Sequence, residues 1–417
     1  MADRKVDHVL IGGGLAAGNC ARWLRESGAE GSILLIGREP DLPYNRPPCS
    51  KEYLQGKESR ADVLFRPAEW YEEQRIEILT RCSAMKLDLD GRTVKLSTKE
   101  KVEFGQLLLA TGANVRRLTV DGCDLEGIHY LRTFGNSDTI REDAAGKRVV
   151  LIGGSYIGCE VAASLTELGS TCTIVMMEPV TLSRHFGEQA GRFLQGVLEQ
   201  HGITVFGGDE LERFEGADGR VRAVVTKSGR KLDADAVVIG AGAVPDVMLA
   251  RGAGLSLGDR GGVEVDSRLA TAVPGVYAAG DIAEYESVIH DGARIRIEHW
   301  DVAFNQGKTV ALNMLGRDVP HDVVPYFFSD LSDWTSLEYV GPAESWDTEV
   351  VRGSIEAGEF SIWYLDGGRV AATLSVGRSD DLEHARRLIA SRAVIGEAGA
   401  SALEDLGSDL AAVRALS

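Results

Sequence analysis

Short, nearly uninterrupted apolar runs recur along this chain, and several of them lead directly into segments with helical spacing. Residues 6–11 form such a run, followed by a helical pattern after Gly14 and a second apolar run at residues 33–36. The same order returns from residue 148, where Val161, Leu165 and Leu168 share one helix face before a run at residues 173–176. Uninterrupted apolar runs are typical of strands buried on both faces of a parallel sheet. The pattern therefore predicts two β-α-β units.

The remaining pattern predicts further strands and a change of architecture near the end of the chain. Strand-like runs occur at residues 76–109, 221–226, 236–239 and 276–281, and helical spacing runs from residue 303 to 315. From residue 325 onward, apolar and polar positions alternate as in antiparallel strands, and two helical stretches close the chain. Because no low-complexity linker separates these parts, we expect domains that are tightly packed or interleaved.

Both predicted β-α-β units carry glycines where the strand turns into the helix. The first turn reads Gly12-x-Gly14-x-x-Ala17, and the second reads Gly153-x-Ser155-x-x-Gly158. In a turn of this kind, backbone N–H groups and the helix N-terminus hold a pyrophosphate. One match is a weak signal, since glycine-rich turns are common. Two matches in one chain predict two bound dinucleotides, which is the arrangement needed to pass a hydride from one to the other.

Composition narrows the class of protein and its partners. The chain has 417 residues, 44% of them hydrophobic and 26% charged, which favours a globular protein of two or three domains. Its formal net charge of -18 argues against nucleic acid or an anionic membrane surface as a partner. No apolar run reaches the roughly 18 residues that span a bilayer, and the first strand begins too early for a signal peptide.

The six cysteines are scattered and show neither the C-x-x-C nor the C-x₄-C spacing. We interpret them as reduced thiols, which predicts a cytoplasmic protein. The missing pair also removes the dithiol relay that disulfide reductases require.

The order of motifs resembles the flavin-dependent reductases that include the ferredoxin reductases of bacterial oxygenases, monodehydroascorbate reductase and apoptosis-inducing factor. The markers are residues 43–51, Ala110-Thr111-Gly112, the second glycine turn with Glu160, Ala279-Gly280-Asp281 and Glu298-His299-Trp300. The resemblance implies an α/β fold with two Rossmann-like domains, as in glutathione reductase, plus a C-terminal α+β domain. The implied domains are a discontinuous FAD domain (1–115 and 245–322), an NAD domain (116–244) and a C-terminal interface domain (323–417).

The resemblance also implies residues for FAD. Glu39 follows the second strand, where the family has an acid for the adenosine ribose; because Arg38 stands first, either Glu39 takes this role or the ribose is held differently. Lys51 corresponds to a lysine near flavin N5, where a cation favours the charge of the reduced ring. The implied FAD set is Gly12, Gly14, Ala17, Glu39, Arg46, Lys51, Thr111, Gly112, Asp281, His299 and Trp300, with Phe328 approaching from the C-terminal domain.

For the nicotinamide nucleotide, the resemblance implies a second set of residues. Glu160 corresponds to an acid beside the nicotinamide, often paired with the lysine, so Lys51 and Glu160 are the implied catalytic residues. Ser155 adds a side chain where the backbone should approach the phosphates. Glu178 follows the second strand and would accept hydrogen bonds from a ribose diol but repel a 2′-phosphate, which favours NADH over NADPH. The implied set is Gly153, Ser155, Tyr156, Ile157, Gly158, Glu160, Glu178 and Gly242.

We therefore predict an NADH-dependent reductase that contains FAD and passes electrons to a small iron–sulfur ferredoxin. The sequence is compatible with a homodimer. Two alternatives stay open at this point. One is a redox-sensing flavoprotein like apoptosis-inducing factor, with slow turnover and NADH-dependent dimerisation. The other is a single-cysteine NADH oxidase or peroxidase using Cys49, although Cys49 falls one residue late for that family's pattern.

Overall fold

A computed structural model describes residues 2–414. The strands, numbered in chain order, are β1 Arg4–Ile11, β2 Ile33–Ile36, β3 Ile76–Leu79, β4 Ala84–Asp88, β5 Thr93–Leu96, β6 Lys101–Leu109, β7 Ala113–Val115, β8 Ile128–Tyr130, β9 Arg148–Ile152, β10 Thr171–Val175, β11 Thr204–Phe206, β12 Leu211–Ala217, β13 Arg220–Thr226, β14 Lys231–Asp233, β15 Ala236–Ile239, β16 Ala243–Pro245, β17 Val263–Val265, β18 Val276–Ala278, β19 Ala283–Glu286, β20 Arg294–Ile295, β21 Tyr326–Leu331, β22 Thr335–Val340, β23 Thr348–Ser354, β24 Glu359–Asp366 and β25 Arg369–Val376.

The α-helices are α1 Leu15–Glu26, α2 Arg60–Val63, α3 Ala68–Glu73, α4 Phe134–Ala144, α5 Tyr156–Glu167, α6 Ser183–Gln200, α7 Met248–Gly252, α8 Trp300–Met314, α9 Asp381–Ser391 and α10 Gly396–Glu404. Short 3₁₀ turns occur at Pro47–Ser50, Gly280–Ile282, Val288–His290 and Leu410–Ala412. Within residues 2–414, none of these helices combines the length and the apolar character needed to cross a membrane.

The described chain divides into two compact units, each made of separate segments. The first unit contains the described residues up to Asn45, then Ala61–Asn114 and Ala243–Pro325. The second contains Arg46–Arg60, Val115–Gly242 and the described residues from Tyr326 onward. The three domains implied by the resemblance have boundaries different from those of these two units, and the domain boundaries stay a prediction.

The first unit is built on a seven-stranded sheet in the order β3-β2-β1-β6-β5-β4, with β18 also pairing with β6. The pairs of β1 with β2 and β6, of β2 with β3 and of β6 with β18 are parallel, whereas β4 and β5 pair antiparallel. The registers align Ile11 with Ile36 and with Leu109, and Leu109 with Ala278. As a result, the segments that follow β1, β2, β6 and β18 all leave the sheet at one edge.

Helices α1 and α8 pack closely against one another in this unit. A Cβ atom added to Gly307 would lie 2.4 Å from the carbonyl oxygen of Ala16, so only glycine permits this approach. Helix α8 begins at Trp300, three residues before the helical pattern predicted in the sequence. His299 is the N-cap residue and has extended backbone angles, and because the first turn is half-exposed, apolar spacing does not mark it.

The second unit contains a five-stranded parallel sheet in the order β11-β10-β9-β15-β8, a three-stranded antiparallel sheet and a C-terminal antiparallel sheet in the order β21-β22-β25-β24-β23. Ile152, at the end of β9, is in register with Val175 and with Ile239. Helix α9 packs against β25 and helix α10 packs against β23 of the C-terminal sheet. The predicted fold class, two Rossmann-like sheets and a C-terminal α+β part, is confirmed.

Candidate functional site

The turn after β1 is shaped to bring backbone close to a ligand. Gly12 has a φ of +135°, and an added Cβ would lie 2.0 Å from the Ala110 carbonyl oxygen, so a side chain is excluded there. Gly14 is the N-cap of α1, and an added Cβ would meet nothing within 4 Å. Over the described residues, no side chain caps α1. Open space in front of free helix N–H groups fits a pyrophosphate, and Ala17, fully buried, allows close packing behind it.

The edge of the sheet next to this turn carries three of the other predicted FAD positions. Thr111 donates a hydrogen bond from Oγ1 to the carbonyl oxygen of Asp246 (2.6 Å), and the carbonyl oxygen of Gly112 accepts one from the Asp246 N–H (2.8 Å). Asp281 is half-buried in a 3₁₀ turn that opens with Gly280 (φ +76°), whose N–H donates to Gln306 Oε1. These contacts hold the segments after β6 and β18 in place.

Two charged residues follow β2, and the structure gives them different partners. Arg38 forms an ion pair with Asp246 (2.8 Å) and donates to Asn114 Oδ1 (2.6 Å). Glu39 is half-buried, and its carboxylate accepts a hydrogen bond from the Tyr44 hydroxyl (2.7 Å). Arg38, the first charged residue after β2, is therefore engaged with Asp246 and provides no acid for a ribose. The role of Glu39 stays a prediction.

The proline-rich loop contributes a residue that the sequence reasoning did not single out. Asn45 Oδ1 accepts a hydrogen bond from Trp300 Nε1 (2.9 Å), while the Trp300 ring stacks on Phe304 with centroids 5.3 Å apart. His299, beside it, is half-buried at the N-cap of α8. Asparagine in a loop is common, so no sequence signal distinguished Asn45; only its contact with Trp300 does.

The second glycine turn repeats the first with one difference. A Cβ on Gly153 (φ +107°) would lie 2.4 Å from the Gly240 carbonyl oxygen, and one on Gly158 would lie 2.0 Å from that of Gly153. Ser155 is the N-cap of α5 but, in the described chain, its hydroxyl makes no capping hydrogen bond. The start of this helix is therefore open to an anion. Ile157 is exposed, and the Gly242 carbonyl oxygen accepts from the Arg116 N–H (2.9 Å).

Tyr156, at the start of α5, belongs to an aromatic cluster. Its ring centroid lies 4.4 Å from that of Phe327, 5.1 Å from that of His185 and 5.8 Å from that of Phe186. Burial raises the pKa of the Tyr156 hydroxyl, so the side chain stays neutral. Burial lowers the pKa of His185, an effect that the nearby charge of Glu178 partly opposes. The half-buried Glu178 follows β10, and its carbonyl oxygen accepts from the Gly208 N–H.

The two predicted catalytic residues form a buried ion pair. Lys51 Nζ lies 2.8 Å from Glu160 Oε1, and both side chains are 5% exposed. Ser329 donates to the same carboxylate oxygen (2.6 Å), and Ser50 donates to the other, Oε2 (2.5 Å). Lys51 Nζ also lies 5.6 Å from the centre of the Phe328 ring. A buried charge is tolerated when it is paired and hydrogen-bonded, and both conditions are met here.

The 3₁₀ turn before Lys51 is anchored at both ends. Arg46, its N-cap residue, donates from Nη1 to the Arg132 carbonyl oxygen (2.6 Å), and Ser137 donates to the Cys49 carbonyl oxygen (2.8 Å). Cys49 is 3% exposed. All six cysteines are free thiols, as the spacing predicted, and five of them are buried.

The fold and these turns define an oxidoreductase class that binds two dinucleotides and has a buried lysine–carboxylate pair. Residues 6–307 match the pyridine nucleotide-disulphide oxidoreductase family, and residues 326–413 match the reductase C-terminal domain. The chain is 34% identical over 384 residues to rhodocoxin reductase of Rhodococcus erythropolis, covering 92% of this chain and 89% of that protein.

A second relative is the ferredoxin–NAD(P)(+) reductase of Sphingomonas sp. It is 34% identical over 397 residues, and the aligned region covers 95% of this chain and 95% of that protein. Among solved structures, the putidaredoxin reductase–putidaredoxin covalent complex superposes with a TM-score of 0.92 at 31% identity, covering 99% of this chain and 98% of that one. The chain belongs to the pyridine nucleotide-disulphide oxidoreductase family. It is an FAD-dependent NADH oxidoreductase, which confirms the predicted cofactors.

Proposed function

We propose that this chain passes electrons from NADH, through bound FAD, to a small iron–sulfur ferredoxin. The observation that carries the proposal is the buried Lys51–Glu160 pair in a chain with two open dinucleotide turns and only free cysteines. Since the cysteines have no C-x-x-C or C-x₄-C spacing that would form a dithiol relay, we infer that the electrons leave for an external acceptor. The relatives that support a ferredoxin as that acceptor are themselves named for rhodocoxin, ferredoxin and putidaredoxin.

Held by these residues, FAD would supply the conversion of a two-electron hydride into two single electrons, with the balance NADH plus two oxidised ferredoxins giving NAD⁺, a proton and two reduced ferredoxins. The chain's own residues bind and orient. The N–H groups after Gly12 and Gly153 would hold the two pyrophosphates, and Glu178 would accept hydrogen bonds from the adenosine ribose of NADH.

Lys51 and Glu160 have complementary roles in this proposal. The Lys51 ammonium, buried and oriented by Glu160, would stabilise negative charge that develops on the flavin during reduction. Glu160 would fix the position of that ammonium and keep the local charge balanced in its buried surroundings. Neither residue needs to exchange a proton for the hydride to move.

The test is to mix the purified yellow protein with one equivalent of NADH without oxygen, and then with oxidised ferredoxin. We expect rapid bleaching of the flavin by NADH, slow reoxidation by air and rapid reoxidation by ferredoxin. Rapid reoxidation by air that is lost in Cys49→Ala would replace the proposal with the single-cysteine oxidase. Bleaching that persists with air and with every ferredoxin tried, accompanied by dimerisation, would replace it with the redox sensor.

We also propose that the protein works in the cytoplasm. Six free cysteines, five of them buried, are compatible with a reducing compartment, in which thiols persist. Fractionation of cells producing the full chain tests this, because recovery in a membrane or exported fraction would contradict it.

A further inference from the structure

We propose that Ser50 and Ser329 are positioning residues that clamp the Glu160 carboxylate, one at each oxygen, and thereby set the placement of the Lys51 ammonium. The inference rests on the proposed role of Lys51 toward the flavin. It adds two residues to which neither the sequence nor the comparisons assign a role.

The hydrogen-bond geometry supports this assignment. The carboxylate of Glu160 is buried, with 4% of the residue exposed, so its oxygens depend on donors from the protein. Oε1 accepts from Lys51 Nζ and Ser329 Oγ, whereas Oε2 accepts from Ser50 Oγ. Ser50 Oγ also lies 3.0 Å from the Pro47 carbonyl oxygen. A hydroxyl has one proton, and the carboxylate is the closer and more strongly accepting partner.

The two serines come from different parts of the second unit, which gives the clamp its rigidity. Ser50 ends the 3₁₀ turn that leads into Lys51, and its own carbonyl oxygen accepts a hydrogen bond from Ser164 on α5 (2.7 Å). Ser329 is 1% exposed on β21, paired opposite Leu337. A carboxylate held from both sides cannot rotate about its terminal bond, so the ammonium it binds has one position.

The clamp also stabilises the buried ion pair. Without the serine donors, Lys51 would be the one described side chain still bonded to the Glu160 carboxylate, which would be free to rotate away from it. The Lys51 ammonium would then be less restrained. Removal of the clamp should therefore slow hydride transfer, because the ammonium is no longer prepositioned, and should lower the flavin midpoint potential, because a displaced ammonium stabilises the anionic reduced ring less.

The experiment compares Ser50→Ala, Ser329→Ala and the double variant with wild-type holoprotein in anaerobic stopped-flow reduction by NADH. We expect each alanine variant to lower the limiting rate constant about fivefold, as for partial loss of a hydrogen bond to a charged group. The apparent dissociation constant of NADH should stay within about twofold, since the serines do not contact it in the proposal. Ser329→Thr, which retains the hydroxyl, should restore the rate.

Two matched controls separate a clamp from general loosening. Ser170→Ala removes a buried hydroxyl that donates to the Ala144 carbonyl oxygen at the end of α4, and Ser361→Ala removes a buried serine–carboxylate bond to Asp381 in the C-terminal sheet. Both should reduce at the wild-type rate. If Ser329→Ala does not fold, Ser329→Cys, with a weak donor of similar size, takes its place.

Several outcomes would overturn the inference. Wild-type rates in both serine variants would do so, as would equal losses in the Ser170 and Ser361 controls. Lys51→Met separates this failure from that of the proposed function. A slow Lys51→Met with normal serine variants overturns the clamp alone, and a normal Lys51→Met overturns the role of Lys51 itself. A dye-coupled flavin titration measures the midpoint potential without NADH, and an unchanged potential in the double variant also contradicts the clamp.

Discussion

Replacing Gly14 with alanine isolates the contribution of the first turn to FAD binding. Gly14 has a φ of -96° and a ψ of -174°, angles that alanine adopts without strain, and an added Cβ meets nothing within 4 Å. The folded protein therefore has room for the added methyl group. The methyl group would clash only with a ligand that occupies the space in front of α1.

The expected magnitudes differ sharply between folding and binding. Glycine to alanine favours the folded chain by about 0.4–1 kcal/mol through the unfolded state, and alanine is a poorer N-cap by an amount of about the same size. The free energy of unfolding without flavin should thus change by less than about 1 kcal/mol. A methyl group that holds a phosphate off one backbone N–H costs about 1.5–3 kcal/mol, which raises the FAD dissociation constant about 10- to 150-fold.

The assay is a fluorescence titration of flavin-depleted protein with FAD, together with thermal unfolding of the same sample without flavin. Gly252→Ala is the matched control, because Gly252 ends α7 in the same unit and its added Cβ also meets nothing within 4 Å. It should bind FAD normally. Gly12→Ala is the opposite control, since its Cβ would lie 2.0 Å from a carbonyl oxygen, and both folding and binding should suffer.

Two results would refute this reasoning. If Gly14→Ala binds FAD as tightly as the wild type, the pyrophosphate does not lie in front of this turn. If flavin-depleted Gly14→Ala unfolds several degrees earlier than Gly252→Ala, the methyl group is disturbing the protein, and a loss of FAD would say nothing about the ligand's position.

Three further predictions concern specificity, the cysteine and pH. Glu178→Gln should weaken NADH binding about tenfold and reduce the preference for NADH over NADPH, measured as the ratio of kcat/KM values; an unchanged ratio would contradict the role of Glu178. Cys49→Ala should leave the rate of flavin reduction by NADH within about twofold of wild type, because the thiol is buried and is assigned no step; a loss of turnover with normal flavin content would contradict this. Burial lowers the pKa of His321 to about 4, below its unfolded value of about 6.5. The unfolded chain thus takes up the proton first, and stability present above about pH 6.5 is lost progressively toward pH 4. At about pH 5 the wild type should have lost about 2 kcal/mol of its free energy of unfolding through this residue, a loss that His321→Asn should avoid. The melting temperature should therefore fall less between about pH 7.5 and 5 in the variant than in the wild type. Equal falls in the two proteins would rule out His321 as the source.

The strands around both glycine turns were predictable because their cause is local. β1 and β9 are buried apolar runs that lead into glycines, and a short run of this kind is typical of a strand buried on both faces of a parallel sheet. The start of α8 was not predictable from apolar spacing, because Trp300 opens the helix on a half-exposed turn whose N-cap, His299, carries no strong capping signal. The residue type at a helix end is a weaker signal than the periodicity of its middle.

The predicted pairing of Lys51 with Glu160 came from resemblance, and the structure supplies its physical basis. The two residues are 109 positions apart, and a lysine next to a proline-rich loop is ordinarily an exposed surface residue. The contact exists because the 3₁₀ turn at Pro47–Ser50 packs on α5. Ser329 is 169 positions from Glu160, and Ser50, although it adjoins Lys51, is of a residue type common in turns, so no sequence signal assigned either serine to Glu160.

The sequence by itself determined the two β-α-β nucleotide-binding units and therefore the number of bound dinucleotides. It also determined the absence of the cysteine spacing that a dithiol relay needs, and which acidic residues follow each second strand. Each of these depends on spacing within a few residues, where backbone geometry follows directly from residue type. Only the tertiary structure decided that Arg38 is bound to Asp246, that Asn45 supports Trp300 and that Ser50 and Ser329 hold Glu160. Such polar contacts join residues far apart in the chain, and a side chain's partner is set by which segments burial brings together rather than by its neighbours in sequence.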